Sequence, residues 1–290
     1  MSTTLPSEPE IIEAVMNTVA YTATEVRQGL IGRRGTVDAE NPSGETQLEA
    51  DVWADRLLRE RLSNVDGVAE YASEESDRIL ECGDSAGLSV ATDPLDGSSN
   101  LQSNNTMGTI VGVYDEPLPA RGTRLVAAAY VLYGPIVTMM IATDEGVSEY
   151  ELGGGERSLI EDDVTLPDEP VVYGVGGRAQ HWPAAIVDYV REIETELKLR
   201  YGGAMIGDVN QVMTYGGLFA YPTLEPHPEG KLRLQFEGNP IGYILEQAGG
   251  ASSNGHRSLL EVEPTELHQR TPVYIGNEEY IERLEAALAD

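Results

Sequence analysis

Two carboxylates stand three positions apart in Asp93-Pro94-Leu95-Asp96-Gly97-Ser98-Ser99-Asn100, and the residues around them set out a specific chemistry. An apolar, strand-like segment, Leu88 to Thr92, delivers them onto a tight turn. Pro94 fixes its own φ and biases Asp93 toward extended backbone, which leaves the Leu95 carbonyl presented between the two acids. Gly97, Ser98 and Ser99 follow with small side chains and backbone N–H groups, a turn of the kind that opens a helix and holds an anion. Hard oxygens for a cation beside amides for a phosphate suggest a metal-assisted phosphate site. The plainer alternative is an Asx-type turn with an N-cap serine.

Other acids can join the pair. Glu74-Glu75 closes the strand-like Ala69 to Ser73 and precedes Asp93 by nineteen and eighteen residues, room for a loop and a parallel or antiparallel return to the same edge. Glu237 follows the strand-like Leu232 to Phe236 and precedes Gly238-Asn239-Pro240, a helix start. Mg2+ takes hard oxygen ligands and keeps waters and phosphate oxygens as well. Glu74, Glu75, Asp93, Asp96, Glu237 and the Leu95 carbonyl would satisfy two or three such ions, with Mn2+ as the alternative metal. Paired divalent ions polarise phosphoryl oxygens, lower the pKa of an attacking water and stabilise the leaving alkoxide. The chain offers no evident side chain to be phosphorylated, which fits direct attack by water.

The elements that must position these residues fall into two sets. Apolar residues at near-helical spacing predict a helix over 10–30, ended by Gly32-Arg33-Arg34-Gly35, and another over 49–63, joined by a polar loop, 36–46. Strands are predicted at 65–72, 88–92, 107–114, 123–133, 135–143 and 146–152, which suggests an α+β layer with an antiparallel sheet. The acidic, glycine- and proline-bearing stretch 153–170 reads as a surface hairpin and linker. Beyond it strands at 171–175, 200–204, 218–221, 231–236 and 272–275 alternate with helices at 184–199, 206–215, 239–248 and 278–288, an α/β unit. The expected division is therefore 1–170, an α+β part that carries the paired acids and the glycine-serine turn, and 171–290, an α/β part, packed into one body.

The 290 residues include 49 acidic and 19 basic ones, a formal net charge of -30. Only Lys198 and Lys231 among the basic residues are lysines. Such an excess repels nucleic acid and anionic membrane, and it resembles the surface of a protein living in concentrated salt, where a short Debye length screens self-repulsion. At 41% hydrophobic content, with clear periodic segments, the composition is not that of a disordered chain. The single Cys82 excludes an internal disulfide and a cysteine-based zinc cluster. No apolar run has the length of a membrane span and no secretory leader is evident, so a cytoplasmic location is expected.

The motif, taken with its partners, resembles the lithium-sensitive metal phosphatase superfamily of inositol monophosphatases and fructose-1,6-bisphosphatases, and within it class I fructose-1,6-bisphosphatase. The resemblance rests on Ser73-Glu74-Glu75, on the octapeptide with its Leu95 and Ser-Ser-Asn ending, on Arg200 to Met205 with Asp208-Val209, and on Tyr215 to Pro222. It continues through Lys231 to Pro240, Glu246 to Gly250 and Pro264 to Arg270, in order over roughly residues 43 to 276. It implies a layered α-β-α-β-α sugar-phosphatase fold. It also implies that Glu74, Glu75, Asp93, Asp96, Glu237 and the Leu95 carbonyl hold metal, and that Gly97, Ser98 and Ser99 hold the phosphate to be cleaved. Asp51 and Glu45 match acids that, with Glu75, orient and deprotonate the attacking water. Gly203, Ala204 and Met205 match backbone lining the sugar; Tyr201, Tyr221 and Lys231 match substrate-binding positions. Arg200 matches an arginine that reaches the far phosphate of a neighbouring subunit, which implies a homodimer or homotetramer. His268-Gln269-Arg270 is expected to be structural.

Two departures from the family pattern stand out. Gly176 replaces an asparagine in the loop Tyr173 to Arg178, and Arg178 is the residue that could replace its contact to the distal phosphate. The basic N-terminal segment and lysine-tyrosine pair of AMP-regulated members are absent, with Gly87-Leu88 at the pair and Asp115 in place of an arginine, so no AMP inhibition is expected. The leading expectation is Mg2+-dependent hydrolysis of the 1-phosphate of fructose 1,6-bisphosphate, a gluconeogenic step. The alternatives are a sedoheptulose-1,7-bisphosphatase or a broad inositol-monophosphatase-like enzyme and, in another class, a metal- and sugar-phosphate-binding regulator without turnover.

Overall fold

The computed structural model describes residues 6–42, 44, 46–83 and 86–289. In chain order it contains α1 (Glu8–Gly29), β1 (Thr36–Glu40), β2 (Thr46–Leu48), α2 (Glu49–Leu62), β3 (Val68–Ser73), β4 (Leu80–Glu81) and β5 (Leu88–Asp96). There follow α3 (Asn100–Ser103), β6 (Met107–Tyr114), β7 (Leu125–Tyr133), β8 (Val137–Thr143), β9 (Gly146–Gly153) and β10 (Glu156–Glu161). The remainder is β11 (Val172–Val175), α4 (Ala184–Ile193), β12 (Lys198–Leu199), α5 (Met205–Tyr215), β13 (Gly217–Tyr221), β14 (Leu232–Arg233), α6 (Asn239–Gln247), β15 (Ala251–Ser253), β16 (Arg270–Thr271), β17 (Val273–Gly276) and α7 (Glu278–Ala289).

Two sheets and three helix pairs stack as α-β-α-β-α. The eight-stranded sheet runs β10-β9-β8-β7-β6-β5-β3-β4, antiparallel except for the parallel pair β3–β5. Its central strands, β5 to β8, are buried on both faces, and period-2 alternation sends neighbours to different layers. Val90, Val111 and Ala129 meet Val15, Val19 and Leu58 of α1 and α2 on one side. Ala91, Ile110 and Tyr130 meet Ile206, Val209, Ile241 and Ile244 of α5 and α6 on the other. The same middle layer rests on Phe219, Val273 and Ile275 of the second sheet, ordered β12-β11-β13-β17-β15. The far face of that sheet, through Leu218 and Tyr274, is closed by Ile186 and Ile193 of α4 and Ile281 and Leu284 of α7.

Several boundaries differ from the sequence expectation. Within 36–46, β1 and β2 pair antiparallel; this polar stretch lacks the apolar alternation that marks a strand. The strand expected at 200–204 is loop after β12, and α4 stops at Ile193 rather than Leu199. The strand expected at 231–236 ends at Arg233, and Leu234–Gly238 winds into a single π-helical turn that runs directly into α6. Among the described residues, no helix is long and apolar enough to cross a membrane.

Candidate active site

Strand register brings the acids together. In the parallel pair β3–β5, Ser73 lies opposite Thr92, so Glu74, just past the end of β3, comes beside Asp93 of β5, with the Glu74 N–H donating to the Thr92 carbonyl at 3.0 Å. Instead of stopping at Thr92, β5 continues to Asp96. Because Pro94 has no N–H for the ladder, the register with β6 shifts between Asp93 and Asp96, while the Pro94 carbonyl accepts from Thr109 Oγ1 at 2.8 Å. The turn proper starts at Gly97, whose φ of 71° and close approach to Ala204 both require glycine. Glu237 arrives from the opposite side on the π-turn, where its carboxylate accepts the Arg233 N–H at 2.5 Å. Such turns insert one extra residue into a helical ladder and recur at functional sites.

Carboxylate oxygens of Asp93, Asp96 and Glu237 lie within 4.8 Å of one another, all three buried. Burial pushes the Asp93 carboxyl well above its usual range, and the charges of Glu74, Asp96 and Glu237 push it further. Asp96 rises to about 7 through burial and Glu237, against the pull of the Ile206 N–H, which donates to it at 2.8 Å. Glu75 rises to about 8 through burial and the neighbouring Glu74. Three buried acids this close resist common ionisation, and a divalent cation removes the resistance. The donor set is all oxygen, which suits Mg2+ or Mn2+ and not a soft metal. The Leu95 carbonyl lines the same cavity and accepts the Ser98 N–H at 3.1 Å; its second lone pair remains for a cation.

The acids open into a cavity of about 320 Å3. It is lined by every described residue expected to hold metal or activate water: Asp51, Glu74, Glu75, Asp93, Leu95, Asp96 and Glu237. Glu45 lies outside the described residues. Asp51 opens α2 with its carboxylate accepting the Leu48 N–H at 2.7 Å, and Gln47 Nε2 donates to Glu75 at 2.5 Å. Gly97, Ser98, Ser99, Tyr201, Gly203, Ala204, Met205, Tyr221 and Lys231 line the cavity as well. In the phosphate turn, the Ser98 N–H is committed to Leu95, whereas the Gly97 and Ser99 N–H groups donate to no group among the described residues.

Two expected phosphate-binding cations are not among the lining residues. Arg178 is exposed on the loop before α4. Arg200 donates from Nη1 to Gln211 at 2.9 Å and lies over the Tyr215 ring in a neighbouring cavity. At Gly176 the Tyr221 ring fills the space that a side chain would need. One lining residue that the sequence reading missed is Arg233, 4% exposed, with Nη2 2.8 Å from Glu74 and Nη1 3.8 Å from Glu237. Its sign argues against a cation site, so ligand-seeking passes over it; only its place between two acids in the fold shows its function as a counter-charge. Asn41, from the polar loop, donates to Glu74 as well.

A layered α-β-α-β-α body with buried carboxylates at the ends of β3 and β5, facing a glycine-serine turn, defines a metal-dependent phosphatase of the sugar-phosphate class. The chain belongs to the fructose-1,6-bisphosphatase family: residues 9–160 match the family's N-terminal domain and 166–289 its C-terminal domain. It is 61% identical to the class 1 fructose-1,6-bisphosphatase of Natronomonas pharaonis, over 96% of this chain and 99% of that one. It is 55% identical to that of Halobacterium salinarum, over 97% and 98%. Among solved structures, the holo form of Leishmania major fructose-1,6-bisphosphatase superposes with a TM-score of 0.91 at 28% identity, covering 98% of this chain and 96% of the other.

Proposed function

We propose that this chain hydrolyses the 1-phosphate of fructose 1,6-bisphosphate to fructose 6-phosphate and phosphate, using Mg2+ at two or three positions. The observation that carries the reading is the buried Asp93-Asp96-Glu237 cluster facing Gly97-Ser98-Ser99 in one cavity. Glu74, Glu75 and the Leu95 carbonyl complete the oxygen set. Bound cations there supply Lewis-acid stabilisation of the phosphoryl oxygens and of the leaving oxygen. The free Gly97 and Ser99 amides and the Ser98 hydroxyl hold the scissile phosphate. Glu75 and Asp51, with Glu45, orient the attacking water and take its proton. Tyr201, Tyr221 and Lys231 bind the far end of the sugar phosphate, and the Gly203–Met205 backbone lines the sugar ring.

Arg200, in the loop after β12 and bonded to Gln211 of α5 outside the cavity, fits a role across a subunit boundary, so a homodimer or homotetramer completes the proposal. Arg178 is the reserve cation for the distal phosphate. We place the division between metal-binding and sugar-binding parts near residue 170 and the protein in the cytoplasm of a salt-loving cell. The test is phosphate release from fructose 1,6-bisphosphate with and without Mg2+, beside sedoheptulose 1,7-bisphosphate and inositol phosphate. D93N is expected to lower kcat by at least about a thousandfold (~4 kcal/mol of transition-state stabilisation) while leaving circular dichroism unchanged. Undiminished activity in D93N would falsify the metal assignment, and equal rates on inositol phosphate would remove the named substrate.

A further inference from the structure

The segment from Arg200 to Met205 is a wall with open space on both sides. Tyr201, Gly203, Ala204 and Met205 line the active-site cavity. Behind them lies a second cavity of about 300 Å3, lined by Arg200, Gly202 and Asp208 among others. Close packing holds most of a protein interior, but backbone with a cavity at its back needs directional contacts. Asp208, in the first turn of α5, accepts the Gly202 N–H on Oδ1 at 2.6 Å, and the neighbouring Gly203 amide also favours its charged form. The Gly202 carbonyl accepts from Asn100 Nδ2 at 3.0 Å and from Asn105 Nδ2 at 2.9 Å.

The turn is shaped for this hold. Gly203 has a φ of 84° and seats against the Asn100 amide, where a Cβ would stand 3.1 Å from its oxygen. Asp208 is 3% exposed, and its Oδ2 has no hydrogen-bond partner among the described residues. Burial raises its carboxyl to about 6, while the Gly202 and Gly203 amides pull it back. Two residues before it, the Ile206 N–H donates to Asp96. Wall, helix start and cation-facing carboxylate are therefore one hydrogen-bonded unit.

We propose that Asp208 is a positioning residue that, from behind the wall, holds the Gly202–Gly203 turn in the conformation that presents Gly203, Ala204 and Met205 to the substrate's sugar. The inference rests on the function proposed above for the identity of that sugar. Asp208 lines the rear cavity and not the active-site one, so its loss acts on sugar binding before it acts on bond breaking. D208A removes the acceptor of the Gly202 N–H and the charge beside the Gly203 amide; D208N keeps an oxygen but loses the charge that strengthens the bond.

The test reads KM and kcat for fructose 1,6-bisphosphate, together with hydrogen–deuterium exchange of peptides covering residues 200–206 in substrate-free protein. D208A is expected to raise KM about tenfold and D208N about threefold, with kcat within about twofold and faster exchange in both. If D208A does not fold, D208N carries both readouts. Unchanged KM with unchanged exchange overturns the proposal, as does a lower kcat and melting temperature at constant KM. Faster exchange in the variants of a wild type that hydrolyses no fructose 1,6-bisphosphate supports the clamp and overturns the functional reading instead.

Discussion

Asp96, Glu75 and Asp208 keep their protons to about pH 7, 8 and 6 because burial penalises their charged forms, whereas carboxyls in the unfolded chain titrate near about 4. The folded pKa values are raised, so between these limits the native state binds more protons than the unfolded state. Their contribution to stability is fully present below about pH 4 and is lost as pH rises through about 6 to 8. Metal-free protein in EDTA is therefore expected to melt at a lower temperature at pH 8.5 than at pH 5. Mg2+ should raise the melting temperature more at the higher pH. Calorimetric scans at both pH values check this; a melting temperature that climbs with pH in EDTA contradicts the assigned burial. At this scale the sequence was legible where residue type names the chemistry: the acids, the glycine-serine turn and Lys231 all line one cavity. It was not legible for Arg233, whose charge is intelligible only once β14 and the π-turn place it between Glu74 and Glu237.

Elements carry the site because each acid sits where one ends or bends: Glu74 after β3, Asp93 and Asp96 at the end of β5, Asp51 in the first turn of α2, Glu237 in the turn before α6. Most helices and sheet strands with strong apolar periodicity were readable to within a few residues, the exception being α4, which was read six residues too long. The π-turn was not, because Leu232, Leu234 and Phe236 alternate as a strand would, and all are buried; the turn is held by the local bond from the Arg233 N–H to Glu237 and by the long-range pairing of the Arg233 guanidinium with Glu74, which alternation does not register. Nor does local sequence reveal that α6 lies in the middle layer, in contact with both β7 and β17. Ile244, fully buried there, should report that placement. I244A is expected to cost about 2–5 kcal/mol, read as a lower denaturant midpoint at unchanged slope. A loss under about 1 kcal/mol would contradict a central position for the helix.

The whole molecule carries a net charge of -30 with few cations to offset it. Ion pairs at its surface are built on arginine, as in Arg283 with Glu192 and Glu196 or Arg124 with Asp115 and Glu116. They leave most of the acids facing water and one another. The Debye length falls from about 10 Å at 0.1 M salt to about 3 Å at 1 M, so unscreened repulsion between neighbouring patches weakens steeply over that range. The melting temperature is expected to rise continuously from about 0.1 M to beyond 1 M KCl, measured by circular dichroism. A salt-independent melting curve would separate this chain from the adaptation its composition suggests.

The family's two matched domains divide the proposed catalytic residues unequally. Asp51, Glu74, Glu75, Asp93 and Asp96 fall within residues 9–160, whereas Glu237, Lys231 and the 200–205 wall fall within 166–289. Neither portion holds a complete set. A chain severed between them can work only by reassembly, and a gene split at that point makes two inert products whose reunion is reported by turnover itself.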